Sequence, residues 1–428
     1  MFYQTKFGKF CLFLSAIAFL IPLLSFSFGR ALTTIPFAIA IVFALLGGDI
    51  KSAFNYLKKN KFVIPLIFLP LMAYIGISYT PEIYQHTAWS IAGKYTWIAL
   101  PLLLTPMLII VYSQPKWQKI AYLFFIIGGI LTALLGTLSV WFPPFLQWLM
   151  KHSAFIANNM AYHQNVASSP TMSHTETGFI CAFSAFLTAL LWRFEKNKIL
   201  NGLYVLIFIF LSYYVLFLNT SKTGILLYII LGIVFVIQNY YKNCKTLMLA
   251  FCILVIALGS IVYLSKSSDS RLDTFVNSIQ TVDQNAQDTS FGQRVLMTKF
   301  AYKMFVQSPI YGVGTGTPAK GNKDNPNDKY GVTTDPHSEF LFQLTTLGAI
   351  GLILILMYIG FMFYDSLFLI RKGIESKVAL GASFAALYYL MVESALLHDP
   401  ARYILAYFIS LFFISNLGQK KEKPESIK

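Results

Sequence analysis

Residues 335–363 read DPHSEFLFQLTTLGAIGLILILMYIGFMF. From Phe340 the run is apolar for about 20 residues, the length of helix that crosses a bilayer. It opens on a polar mouth of Asp335, Pro336, His337, Ser338 and Glu339. Runs of this kind recur along the chain and decide its class. Of 428 residues, 56% are hydrophobic and only 12% charged. A soluble globular chain carries about twice that charge. Lipid offers no partner for backbone N–H and C=O groups, so only helices and closed barrels span it. Barrel strands are shorter and alternate in polarity. The reading is therefore an all-α polytopic membrane protein, residues 1–428 forming a single transmembrane domain.

About twelve spans are predicted, near 10–28, 31–47, 62–79, 95–112, 119–140, 174–192, 200–218, 224–240, 246–264, 338–363, 378–397 and 402–417. Several contain Pro or Gly, which membrane helices tolerate. The first span follows Lys6 and Lys9 but lacks a small-residue cleavage site, so it is retained as a span. Short loops rich in Lys and Arg mark the cytoplasmic side. With the N-terminus inside, every inner segment is basic: Lys51, Lys58, Lys59 and Lys61 in one, Arg193, Lys196 and Lys198 in another, Lys420, Lys421 and Lys423 in the tail. The short outer connections hold Arg30, Lys94, Lys151, Lys222 and Arg402. Both termini are then cytoplasmic. The net charge of +15 belongs to the inner rim and marks no nucleic-acid surface. The four cysteines (Cys11, Cys181, Cys244 and Cys252) have neither metal-ligand nor disulfide spacing.

One long outer loop, about 265–336, is nearly neutral. Within it Phe291–Val306 reads as an amphipathic helix, with Val295, Phe300, Met304 and Phe305 as its apolar stripe. Ser308-Pro309 ends it, and the cluster Gly312-Val313-Gly314-Thr315-Gly316 makes a tight, irregular turn. Lys320–Tyr330 is polar and rich in Asn, Asp and Gly, a composition of mobile loops. A second outer segment, Phe142–Ser173, starts at Pro143-Pro144 and is expected along the outer interface.

The candidates for chemistry share the outer level. Pro336 suits a first helical turn, which puts His337 at the N-terminal end of the tenth span. The partial positive charge there favours neutral imidazole, a form that serves as a general base. The plain alternative is a histidine that only caps a helix. Arg294 on the loop helix has the fork that grips a diphosphate, or is a solvated charge. Lys222 lies in the short turn Asn219–Thr223, placed to hold a lipid phosphate or to snorkel. Glu393, Asp399 and Arg402 sit around the last outer turn. An acid inside a membrane is costly and is usually functional or paired. Asp399 could orient His337, or the three could form a structural network. Glu176, with His174, opens the sixth span at the same level. The glycine cluster matches neither a P-loop nor a dinucleotide fingerprint.

In their order these motifs resemble the O-antigen ligase family, within a superfamily that also holds O-antigen polymerases and protein O-oligosaccharyltransferases. The resemblance rests on Ser221-Lys222-Thr223-Gly224, then Arg294 through Ser308-Pro309 and Gly312-Val313-Gly314. His337-Ser338-Glu339-Phe340-Leu341 and Gly348-Ala349-Ile350-Gly351 follow. It covers roughly residues 219–402. The family usually has arginine at the position of Lys222 and asparagine at that of Ser338.

What the resemblance implies is a type C glycosyltransferase-like fold with one large periplasmic loop, in the inner membrane of a Gram-negative bacterium. The reaction would be inverting and metal-independent, with no cofactor. It would pass a polysaccharide from undecaprenyl diphosphate to lipid A-core in lipopolysaccharide biosynthesis. His337 would be the base, and Arg294 and Lys222 would hold the diphosphate. The polymerase and the protein transferase share the donor chemistry and stay open. A lipid-linked glycan transporter is the non-enzymatic alternative; it predicts ionisable groups near the membrane midplane and repeats with broken helices.

Overall fold

The computed structural model describes residues 4–25, 30–61, 63–152, 172–219, 221–240, 290–317, 337–368, 373–394, 405–406 and 408–415. Among them all regular structure is helical. α1 (Lys6–Leu24) and α2 (Arg30–Gly47) pack side by side, joined where Ser15 Oγ donates to the Ala40 carbonyl at 2.7 Å. α3 (Ile50–Lys58) turns away at 104°. The bend is held by Asp49, whose carboxylate accepts from the N–H and the hydroxyl of Ser52. α4 (Val63–Ile77) leads to α5 (Gln85–Tyr95) and α6 (Leu100–Val111), and short 3₁₀ turns make Glu82–Val111 one helical run. The fourth span therefore begins earlier than the expected 95, because Ala88, Ile91, Ala92 and Tyr95 form a buried helical face.

α7 (Pro115–Trp141) and α8 (Pro143–His152) follow, then α9 (His174–Phe194), α10 (Lys198–Tyr213) and α11 (Lys222–Tyr240). The last turn of α10 widens into a π-helix, Tyr214–Leu218. α12 (Ser290–Gln307), α13 (Glu339–Thr346), α14 (Gly348–Phe368) and α15 (Ile374–Val392) complete the named helices. α9 is the axis of the bundle. Every residue from Glu176 to Leu191 is buried, against α7, α10, α11 and α15. Lipid tails are as apolar as a protein core, so such helices associate through close packing rather than water exclusion. Gly178 of α9 meets Gly224 of α11 backbone to backbone. Phe179 stacks on Tyr388 and sets its edge on Tyr389 of α15.

Seven described helices are long and apolar enough to cross a membrane, or eight if the bent α2–α3 pair is one span. The expected twelve are not reached among the described residues. α4, over expected span 62–79, has only 15 residues. Span 246–264 lies outside the described residues, as do Cys244, Cys252 and Lys320–Tyr330. The tenth span is corrected more sharply. The expected single helix 338–363 is divided at Leu347 into α13 and α14.

The division has a local cause. After α12, the segment Pro309–Gly316 pushes into the gap. Val313 and Gly314 N–H donate to the Thr345 and Thr346 carbonyls at 2.9 and 3.2 Å. Ala349 N–H donates back to the Pro309 carbonyl at 2.8 Å. The backbone groups freed by the break are thus paired, as an apolar setting requires. Gly348 makes the corner at φ +64, and a Cβ there would lie 2.4 Å from the Ile310 carbonyl oxygen. The same turn clasps α4. Thr315 Oγ1 donates to the Ala73 carbonyl at 2.7 Å, and Thr80 Oγ1 donates to the Thr315 carbonyl at 2.9 Å. Gly314, at φ +96, approaches Thr80 so closely that a Cβ would sit 2.5 Å from its hydroxyl.

Candidate functional site

His337 stands at the mouth of α13, but not inside the helix as its sequence predicts. Ser338 is the N-cap and Glu339 the first helical residue. His337 precedes them with φ +46, the one non-glycine residue in the left-handed region among the described residues. That conformation costs an L-residue about 1–2 kcal/mol, and strain of this kind collects at functional sites. It turns the imidazole away from the helix axis and toward the end of α15. There His337 Nδ1 faces Glu393 Oε1 at 3.6 Å, with the histidine side chain 36% exposed and the glutamate 15%. The separation is an ion-pair distance and is longer than a hydrogen bond.

The junction is fixed by its backbone. Glu393 ends α15, its N–H still donating to the Tyr389 carbonyl at 3.0 Å. The next residue, Ser394, is fully buried, and its Oγ accepts from Ser338 N–H at 3.2 Å. One hydrogen bond therefore ties the residue after His337 to the residue after Glu393. Below it, Glu339 is wholly buried. Gln343 Nε2 donates both to Glu339 Oε1 and, at 2.8 Å, to the Tyr95 hydroxyl of α5.

Arg294 lies in the second turn of α12, exposed, and near enough to Tyr388 of α15 to act electrostatically on its hydroxyl. Lys222 is the first residue of α11 and is also exposed. Its turn is rigid. Asn219 and Ser221 are buried, Ser221 N–H donates to Asn219 Oδ1, and Gly224 N–H donates to Ser221 Oγ. Neither cation forms an ion pair with a described residue. Glu176 is buried and spent on a capping box: Ser173 N–H donates to its Oε2 at 2.9 Å while Ser173 Oγ accepts from Glu176 N–H. Asp399 and Arg402 lie outside the described residues.

The structure thus brings His337 and Glu393 together, keeps Arg294 within electrostatic range of Tyr388 on α15, and holds Lys222 at the same end of the bundle through the Gly178–Gly224 contact. Glu393 faces His337; the expected partner Asp399 lies outside the described residues. Two features escape the sequence reading. Ser394 has no signal beyond following Glu393. The capping box does have one, since Ser173-x-x-Glu176 ahead of an apolar run is its signature. The arrangement offers a base with an acidic partner and two exposed cations, a set suited to deprotonating a hydroxyl beside a phosphate-bearing substrate.

No curated protein matches the chain. A family model does: residues 206–356, from α10 into α14, match the family described as O-Antigen ligase. Lys222, Arg294 and His337 fall within that stretch, which spans about a third of the chain and is similar to the O-antigen ligase family.

Proposed function

We propose that the chain is an O-antigen ligase that transfers a polysaccharide from undecaprenyl diphosphate to a sugar hydroxyl of lipid A-core. The family match supports glycosyl transfer of the ligase or polymerase type; the donor, the acceptor and the periplasmic face of the inner membrane belong to this reading. The observation that carries it is the His337–Glu393 pair at an exposed helix mouth. The His337 imidazole takes the proton of the acceptor hydroxyl. The acceptor oxygen attacks the anomeric carbon from the face opposite the diphosphate. The carbon–oxygen bond to the diphosphate breaks, and the lipid diphosphate leaves with the bonding electrons. The configuration inverts, and each charge has a partner: Glu393 balances the imidazolium, while Arg294 and Lys222 meet the negative charge growing on the leaving group. The energy comes from the donor's own diphosphate linkage, so no nucleotide, metal or other cofactor is needed.

A polymerase, with a second lipid-linked glycan as acceptor, or a protein O-oligosaccharyltransferase, with Ser or Thr, would use the same machinery. The test is complementation in a host that lacks its own ligase and accumulates lipid-linked O-antigen. A lipopolysaccharide ladder restored by the wild type and absent with His337→Ala at matched expression supports the reading. An intact lipid-linked pool with no ladder from the wild type refutes the ligase assignment and sends the test to the other two acceptors. Glycan transfer between purified lipids without an ion gradient excludes a transporter.

A further inference from the structure

The sequence predicts one apolar stripe on α12, formed by Val295, Phe300, Met304 and Phe305. The helix has two instead. Met297, Ala301 and Met304 are buried, and α12 packs against α13. At 100° per residue, Val295, Tyr302 and Val306 lie on the opposite side of the helix. There Tyr302 is 64% and Val306 55% exposed. The line runs on past the helix end into Ile310 and Tyr311, both equally open. Lys299 and Lys303 flank it, exposed, and the whole helix, SFGQRVLMTKFAYKMFVQ, has no acidic residue. Arg294 sits away from this face, on the side of α15.

The apolar line continues into further exposed apolar surface. Tyr311's carbonyl accepts from the Tyr79 hydroxyl at 2.8 Å, just beyond the end of α4. Below Tyr79, α4 shows an exposed apolar flank of Ile67, Leu71, Tyr74 and Ile75. Tyr74 meets the exposed Trp89 edge to face. Aromatic side chains at the rim of an apolar helix belong at the bilayer–water boundary. A helix with cations along an apolar face lies in that boundary, attracted by phosphates.

We propose that the outward face of α12 and the turn after it form an interfacial anchor in the phospholipid leaflet. Tyr302, Val306, Ile310 and Tyr311 seat among the headgroups and upper acyl chains, and Lys299 and Lys303 meet lipid phosphates. The anchor holds α12 at the level of the membrane surface, whatever reaction the site performs.

The test uses the full chain in vesicles of phosphatidylethanolamine and phosphatidylglycerol. Benzoyl-phenylalanine is placed at Tyr302 or Val306, and at Ile209 on the lipid-facing side of α10 as the reference. After irradiation, phospholipid adducts at Tyr302 and Val306 as well as at Ile209 are expected. Adducts at Ile209 alone overturn the proposal. Hydroxyl-radical oxidation of the wild-type chain is the second measurement and needs no variant. Tyr302 and Tyr311 should be protected in vesicles; oxidation of both to the level seen in the unfolded chain overturns it. The charge component is read with Lys299→Glu combined with Lys303→Glu, which should raise Tyr302 oxidation. Unchanged protection removes the phosphate contact from the proposal.

Discussion

At His337 the backbone and the side chain make separate demands, and substitutions can divide them. Asparagine tolerates the left-handed region better than most residues but is no base. His337→Asn should therefore insert and fold like the wild type while losing about 10²–10⁴-fold in transfer rate, the usual worth of a general base. His337→Ala should lose the same activity and also some stability. Thermal unfolding in detergent beside an initial-rate assay separates the two effects. Glu393→Gln keeps the shape of the pair and removes its charge. It should slow transfer less than His337→Asn does, and an unaltered rate would show that Glu393 does not act through the imidazole. Arg294→Ala should cost on the order of a hundredfold if the guanidinium meets leaving-group charge. Arg294→Lys should recover only part of it, because the ammonium has no bidentate fork.

The helices themselves are legible where lipid dictates them. A run such as Ile120–Val140 has no other stable form in a bilayer, and the helices α7, α9, α10 and α11 stand where hydropathy puts them. What is not legible depends on partners distant in sequence. Gly348 inside an apolar run reads as an ordinary membrane glycine. Only the arrival of Val313 and Gly314 at the Thr345 and Thr346 carbonyls turns it into a break. Periodicity alone likewise cannot choose between two apolar lines on α12, since the helix carries one for the bundle and another facing out. The pairing of His337 with Glu393 follows from the fold of α13 against α15, and no local pattern encodes it. The break also yields a prediction for these elements. Gly314→Ala combines strain at φ +96 with a contact 2.5 Å from Thr80. It should lower unfolding stability by at least about 1–3 kcal/mol, the scale of a forced backbone conformation. Gly202→Ala, which meets nothing within 4 Å, should leave the melting curve in place.

For the molecule as a whole, the basic short loops predict which side faces the cytoplasm. Alkaline phosphatase fused after Lys198 should be inactive and after Gly316 active; the opposite pattern would invert the proposed topology. The predicted inner end also holds an acid-sensitive contact. Lys119 Nζ lies 2.8 Å from Glu195 Oε2, joining the starts of α7 and of the α9–α10 loop. The Lys119 hydrogen bond, then the N–H groups of Asn197 and Lys196, hold the Glu195 carboxyl at about 2, below its ordinary 4.5. A depressed carboxyl lends stability in full above its unfolded value and loses it as pH falls through 4.5 toward 2. Glu195→Gln should therefore narrow the gap between melting temperatures at about pH 6 and about pH 3. An equal gap in both proteins would show that the pair contributes nothing measurable, the usual outcome for an exposed contact.

The clasp between Pro309–Gly316, α4 and the α13–α14 corner is one of two separate attachments. The helix bearing Arg294 is buttoned to the bundle at Thr315, and His337 is tied at Ser338, each by its own bonds. The two attachments therefore hold by separate bonds, and removing one leaves the hydrogen bonds of the other in place.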